Sequence, residues 1–211
     1  MTVTSSFPQS VNTPTPPVRR RGTWEEYWEL LKTSDYRVEY HNGEIILEMS
    51  YEPDPHSKLA NRFGHLFELI FDDPSFEIFN SNRPVFIANC ETVFNPDAMV
   101  VHLPKELYTY QPGMTAEMSP VVIAEVLSPS TRDRDFVEKL PCYKQIPSIR
   151  YILYAELGHP MVYVYEKDTI SGEWDQTFYD ELDSHIELYG QKLVLSELYK
   201  RIEFTLGNTK S

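Results

Sequence analysis

The stretch VVIAEVLSPST, residues 121–131, decides the fold. Val121 to Leu127 is a continuous apolar run broken only by Glu125, the pattern of a central strand buried on both faces. Ser128-Pro129-Ser130-Thr131 then ends the strand and opens a helix from about Arg132 to Ile146, with Ser130 as the expected N-cap and Asp133 three residues on. After that helix, Arg150 to Ala155 and Met161 to Tyr165 are rich in Tyr, Ile and Val and read as strands. Strand, helix and strand make a parallel crossover, the core of an α/β sandwich.

Toward the N-terminus, Thr23 and Glu26 have the spacing of a capping box that opens a short helix through Trp24, Tyr27, Trp28 and Leu31. Tyr36 to Tyr40 and Glu44 to Ser50 flank His41-Asn42-Gly43, a strong hairpin signal because Asn and Gly both accept positive φ. In the second of these strands Ile45, Leu47 and Met49 alternate with Glu44, Ile46 and Glu48. A helix over His56 to Asp72 has Leu59, Phe63, Leu66, Phe67 and Ile70 on one stripe and is expected to cover a sheet face. Short strands follow around Phe76–Phe79, Val85–Ala88, Thr92–Phe94 and Ala98–Val101, with a further strand at Trp174–Tyr179 and a closing helix at Ser196–Ile202.

Residues 1–22 are rich in Thr, Ser and Pro and read as a flexible tail; residues 23–211 read as one domain. The composition, 41% hydrophobic with 13% aromatic, is that of a globular protein. No run approaches the roughly 18 apolar residues of a membrane span, and a basic-then-apolar leader is missing, so a cytoplasmic protein with no membrane partner is expected. Cys90 and Cys142 are too few for a disulfide framework and are expected to be reduced thiols. The net charge is −13, and Arg19, Arg20 and Arg21 contribute +3, so residues 23–211 carry −16. That acidity opposes tight binding to nucleic acid, whose affinity comes largely from neutralised phosphates.

An ionised carboxylate inside an apolar strand carries a large desolvation cost unless it is paired, hydrogen-bonded or metal-bound. Glu125 therefore needs a partner. Asp97 stands directly before the apolar strand at Ala98, and two strands bringing one acid each to the same end would make a hard, oxygen-lined site suited to Mg²⁺ or Mn²⁺. Each acid alone is equally a turn residue or half of a salt bridge. Arg132, Asp135, Lys139 and Tyr143 form a polar helical stripe able to lean over the end of the Glu125 strand, a pattern shared with an ordinary solvated helix face.

Asn95-Pro96-Asp97, the run from Val122 to Thr131, and Arg134-Asp135 with Lys139 and Tyr143 closely resemble the Uma-two family of restriction endonucleases, within the PD-(D/E)XK nuclease superfamily. The likeness extends from about Thr23 to Ile202, and Glu125-Val126-Leu127-Ser128-Pro129-Ser130-Thr131 is its most specific part. The resemblance implies a restriction-endonuclease-like α/β fold, a mixed central sheet flanked by helices. It implies Asp97 and Glu125 as metal ligands, the Val126 carbonyl as a third, and Lys139 as the catalytic amine, since Leu127 stands where the superfamily places its lysine. Glu44 matches an acid of the family's first hairpin and is expected to complete the site. The implied activity is Mg²⁺- or Mn²⁺-dependent hydrolysis of DNA by a homodimer.

Pro141, two residues after Lys139, is expected to kink the helix at a cost of about 3 kcal/mol and to disturb the direction of Lys139. Of the six histidines only His56, near a helix start, merits attention; a surface or capping role is the simpler reading. Ser128 and Ser130 lack a nucleophile elbow, and a phosphate-cradling glycine loop is absent. Two further readings follow from the −16 body and from the aromatic residues. One is a non-catalytic or regulatory binding protein that uses the acidic site for a partner or a small anion. The other is a structural dimer with Tyr108, Tyr110, Trp174 and Tyr179 as its surface.

Overall fold

The computed structural model describes residues 18–48 and 54–204. The chain runs β1 (Val18–Arg21), α1 (Trp24–Thr33), β2 (Arg37–His41), β3 (Glu44–Glu48), α2 (Asp54–Ile70), β4 (Phe76–Asn80), β5 (Val85–Ile87), a 3-10 turn (Ala88–Cys90), β6 (Thr92–Phe94) and β7 (Ala98–His102). It continues through β8 (Leu107–Gln111), β9 (Met114–Glu117), β10 (Pro120–Leu127), α3 (Arg132–Arg134), a π-helical segment (Asp135–Lys139), α4 (Leu140–Tyr143), β11 (Tyr151–Glu156), β12 (Val162–Lys167), β13 (Trp174–Tyr179), β14 (His185–Leu188), β15 (Gln191–Val194) and α5 (Leu195–Leu198).

Strand β10 is buried along its whole length, as an apolar run with one acid requires. It pairs parallel to β11 on one side and antiparallel to β7 on the other. The mixed six-stranded sheet has the order β13-β12-β11-β10-β7-β4. A seven-stranded sheet, ordered β1-β3-β2-β6-β5-β9-β8, lies against it, and β14 pairs with β15. Period-two alternation divides β10 between two cores. Val122, Ala124 and Val126 pack with Leu59, Phe63 and Phe67 of α2 and with Leu195 and Leu198 of α5. Ile123 and Leu127 pack with Val85 and Phe94 of the second sheet and Leu140 and Tyr143 of α4. Glu125 lies between Ile123 and Leu127, so its carboxylate enters the space between the two sheets.

Several expectations are corrected. Residues 18–21 of the expected tail form β1, which pairs with β3; residues 1–17 lie outside the described residues, as does Met49. The hairpin turns through Asn42 and Gly43 at φ 50° and 76°, as its sequence asks. The hairpin β8–β9 and the pair β14–β15 were not legible, their strands being only four or five residues long with half-exposed faces. Tyr108 and Tyr110 do not form a free aromatic surface: Trp24 Nε1 donates to the Tyr108 hydroxyl at 2.9 Å, and Tyr110 stacks on Trp28 at 5.2 Å between centroids. Trp174 and Tyr179 are half-buried against the two cores.

The two cysteines are not free thiols. Cys90, ending the 3-10 turn after β5, is disulfide-bonded to Cys142 of α4, with Cα atoms 5.9 Å apart. Packing of α4 against β5 brings together two residues 52 positions apart, a proximity that spacing alone does not reveal.

The crossover helix also departs from expectation. Its N-cap position is Thr131, not Ser130, and the Ser128 carbonyl accepts the N–H groups of Thr131 and Arg132. Pro141 does not kink the helix out of place. A proline ring clashes with the carbonyl four residues back, here that of Val137. The π-helical turn immediately before it lets the Leu140 N–H reach the Asp135 carbonyl, five residues back, and α4 restarts with Pro141 in its first turn, where no N–H is needed.

A buried carboxylate–lysine site between the sheets

The antiparallel register of β7 and β10 sets Ala98 opposite Ala124. One step further, Asp97 and Glu125 come side by side where the ladder stops. Asp97 Oδ2 accepts the Val126 N–H at 2.8 Å, so the aspartate side chain takes the place of a strand carbonyl and is fixed by the backbone. Its Oδ1 accepts Arg37 Nη2 at 3.1 Å, and His56 Nε2 lies 3.4 Å from Oδ2. Arg37 is brought by β2 and His56 by the first turn of α2. Asp97 and Glu125 are 2% and 3% exposed.

Glu125 Oε1 accepts two donors, Lys139 Nζ at 2.9 Å and the Tyr143 hydroxyl at 2.6 Å. Lys139 Nζ is also 3.2 Å from Asp135 Oδ1 and 3.7 Å from Glu39 Oε1. The π turn is what aligns Asp135, Lys139 and Tyr143 on the inward side while Val137 points to solvent. Glu39, fully buried on β2, accepts the Asn95 N–H at 2.7 Å through Oε1 and the Arg134 guanidinium through Oε2. Asn95 in turn donates its amide to the Val38 carbonyl at 2.9 Å, locking the turn that precedes Asp97 to β2.

The cluster thus encloses four acids, Glu39, Asp97, Glu125 and Asp135, with the cations Arg37, Arg134 and Lys139. Burial pushes the Glu125 carboxyl up to about 8, and the neighbouring Asp97 and Asp135 charges add to the effect, against the Lys139 and Tyr143 contacts. Burial likewise raises Asp135 above the usual carboxylate range. Glu39 goes the other way: burial would raise it, but Arg134 and Lys139 hold it at about 2. Asp97 is also held low, because Arg37, His56 and the Val126 N–H outweigh its burial. Lys139 stays charged, since Glu125, Glu39 and Asp135 outweigh the cost of burying it. The cluster thus sets two carboxyls that are held low, Asp97 and Glu39, beside one, Glu125, that keeps its proton to a much higher pH.

Asp97, Glu125 and Lys139, three residues singled out from sequence, therefore meet in one site. Glu44 does not join them. It begins β3 at the hairpin end, half-exposed, and pairs with Arg19 at 3.6 Å. At Val126 the N–H donates to Asp97 Oδ2. Arg37 and Glu39 carry no mark in the sequence beyond alternation with Val38 and Tyr40, which reads as a solvent-facing strand edge. His56 is buried against Asp97 and is no surface cap. Among the described residues no three His, Cys, Asp or Glu side chains are gathered as a metal-ligand set. The pair Asp97 and Glu125 nonetheless suits Mg²⁺, which is commonly held by one or two carboxylates while water and substrate phosphate complete its shell.

The family model described as "Uma2: Putative restriction endonuclease" matches residues 24–196. The chain belongs to the Uma2 family. This Uma2 chain is 33% identical over 132 residues to "Uncharacterized protein sll1609" of Synechocystis sp., covering 62% of this chain and 72% of that protein. It is 26% identical over 181 residues to "Uncharacterized protein slr1290" of the same organism, covering 85% and 92%. Among solved structures it superposes on "a putative nuclease belonging to DUF820 from Anabaena variabilis" with a TM-score of 0.62 and 18% identity, covering 81% of this chain and 95% of that one. The Uma2 chain has the restriction-endonuclease-like fold. No helix among its described residues is long and apolar enough to cross a membrane.

Proposed function

We propose that this Uma2 protein is a divalent-metal-dependent endonuclease that hydrolyses DNA phosphodiester bonds. The observation that carries the reading is the side-by-side placement of Asp97 and Glu125 at the ends of β7 and β10, with Lys139 Nζ 2.9 Å from Glu125. Asp97 and Glu125 would hold Mg²⁺ or Mn²⁺. Such an ion, when bound, polarises the scissile phosphate and lowers the pKa of its water. Lys139, kept charged by three acids, orients the attacking water and stabilises the charge that develops on phosphorus oxygens. Asp135 positions that amine, and the Tyr143 hydroxyl positions Glu125. Glu125 would have to be ionised, its proton passing to solvent, to serve as a ligand. We expect the protein to work as a homodimer through the edge strand β13, where Phe178 is 58% exposed; a monomeric mass at equilibrium sedimentation removes that part of the reading.

Incubating purified protein with plasmid, single-stranded and branched DNA in Mg²⁺ or Mn²⁺ tests the activity. Cleavage that is lost in Glu125→Gln and Asp97→Ala supports it. Intact substrates in every case, together with equal metal binding by wild type and Asp97→Ala, would overturn it. A second reading, a non-catalytic binding protein for a small anion or a partner, is favoured by the engagement of both Asp97 oxygens with protein donors and by the net charge of −13. Robust cleavage that disappears in Glu125→Gln eliminates it.

A further inference from the structure

Side chains directly opposite each other in a sheet share a face, so the register can be followed outward from the buried acid. Glu125 stands opposite Tyr154, Tyr154 opposite Tyr163, and Tyr163 opposite Phe178. The row ends on β13, three strands and about 14 Å from Glu125 at the usual strand spacing. The crossover helix covers its middle through Phe136, whose ring centroid lies 4.9 Å from that of Tyr154 and 5.6 Å from that of Tyr163. Beyond the helix the row surfaces, and Phe178 is 58% exposed.

This outer lane of the sheet differs from the rest of an acidic chain. On the crossover-helix side β12 and β13 present Tyr163, Tyr165, Lys167, Trp174, Gln176 and Phe178, with no acid among them, while Glu166 and Asp175 fall on the opposite side. Lys144, at the end of the helix, sets Nζ 4.5 Å from the Tyr165 ring centroid and 5.3 Å from that of Trp174. At the other end of the lane Arg132, its side chain 40% exposed, lies over the Phe136 and Tyr163 rings. It also pairs with Glu156, which stands opposite Leu127 where β10 ends. Rings interleaved with cations suit a nucleic-acid strand, since bases stack on the rings and phosphates meet the cations. In a protein of net charge −13, a lane free of carboxylates is also where a polyanion meets least repulsion.

Resting on the nuclease reading, we propose that this lane docks one unpaired strand of the nucleic acid. Bases stack on Phe178 and Trp174, and Lys144, Lys167 and Arg132 take the phosphates. From Trp174 to Phe178 the lane runs about 13 Å along β13. It ends beside Arg132 and the end of β10, so a strand laid in it continues toward Asp97 and Glu125. A duplex keeps its bases stacked on one another and cannot use the rings, which makes single-stranded or locally unpaired nucleic acid the substrate class. A homodimer formed through β13 pairs strand edges in the plane of the sheet and leaves this face open.

The test is fluorescence anisotropy of a labelled oligothymidine, and of a duplex of matched length, with the full-length protein in EDTA, which separates binding from cleavage. Wild type should bind the single strand more tightly than the duplex. Phe178→Ala should weaken single-strand binding about 10-fold, the scale of one lost stacking contact. Lys144→Gln should weaken it too, and should lower the slope of log affinity against log salt by about 0.7, the value for one phosphate on a single strand. Leu69→Ala, which trims an exposed apolar side chain on α2, should change nothing. A duplex bound as tightly as the single strand by wild type would overturn the proposal and leave the nuclease reading standing, as would wild-type affinity and salt slope in folded Phe178→Ala and Lys144→Gln. A change from dimer to monomer in Phe178→Ala with single-strand affinity kept would give the face to a second copy of the chain instead. Wild type that neither binds an oligonucleotide nor cleaves any DNA with Mg²⁺ or Mn²⁺ would sink the nuclease reading, and this proposal with it.

Discussion

Raising the pH from 5 to 8 should weaken the fold, and Glu125 should be the cause. Its carboxyl is pushed by burial to about 8 from an ordinary value of 4.5. Above pH 4.5 the unfolded chain has given up this proton while the native state still holds it, so the unfolded state binds fewer protons and stability falls as the pH rises. The slope is about 1.4 kcal/mol per pH unit and ends near pH 8, where the native group itself titrates. Integrated over three units, Glu125 alone removes about 4 kcal/mol, a large part of the roughly 5–15 kcal/mol that holds a domain together. Asp135, also raised, acts in the same direction. Glu39, held at about 2, and Asp97, also held low, have the opposite sign. Their contribution is lost only as the pH falls toward their native values, so it is constant across this window.

Urea unfolding of wild type and Glu125→Gln at pH 5, 6, 7 and 8, with the slope against denaturant checked for constancy, isolates the effect. The amide keeps the size of the side chain and an oxygen for Lys139 and Tyr143 but has no proton to lose. The difference in unfolding free energy between variant and wild type should shift in favour of the variant by about 4 kcal/mol from pH 5 to pH 8. An equal slope in the two proteins would refute the assignment of a retained proton to Glu125.

Lys139→Met strands Glu125, Asp135 and Glu39 without their shared cation and should cost about 3–5 kcal/mol of stability, read as a lower urea midpoint, as well as any cleavage activity. Mn²⁺ affinity measured by calorimetry should rise from pH 6 to pH 8 by up to about 10-fold per unit, because Glu125 must lose its proton to act as a ligand; a flat profile would exclude it as one. Reducing the disulfide, or replacing both Cys90 and Cys142 with Ala, should lower stability by about 4 kcal/mol, given the length of chain it closes, and an unchanged urea midpoint would count against the bond. Thr23→Ala removes one side of a complete capping box on α1 and should cost about 1 kcal/mol in thermal or urea unfolding.

The sequence made most of the central sheet legible because buried strands and amphipathic helices announce themselves by period. Val121–Leu127 was recognisable from its unbroken apolarity, and α2 from Leu59, Phe63 and Phe67 recurring at helical spacing. Glu125 stood out as an acid inside an apolar run, and Asp97 as an acid directly before another apolar strand. Arg37 and Glu39 escaped because a strand that alternates charge with apolarity looks half-solvated, and only the packing of the second sheet over β10 turns that polar face inward. The disulfide and the hairpin β8–β9 depend on non-local packing in the same way. Pro141 misled for a different reason: the rule that proline breaks an α-helix is sound, but it presumes a four-residue hydrogen-bond ladder. One π turn satisfies the rule while Lys139 still reaches Glu125.

That π turn helps to explain why so much charge is buried here. Replacing a buried ion cluster with well-packed apolar residues is often neutral or stabilising, so four enclosed acids and three cations are poor candidates for a device that merely holds the sheets together. The helix also gives up regular geometry at Asp135–Lys139, and gains by it the alignment of Asp135, Lys139 and Tyr143 toward Glu125. The proton on Glu125 then has a simple electrostatic meaning. Burial between the sheets disfavours the ionised carboxylate most, Lys139 offsets only part of that cost, and the Asp97 and Asp135 charges add to it, so the neutral form is retained. A divalent ion held between Asp97 and Glu125 would pair with both carboxylates and offset the cost of ionising Glu125, so metal binding and loss of that proton are linked.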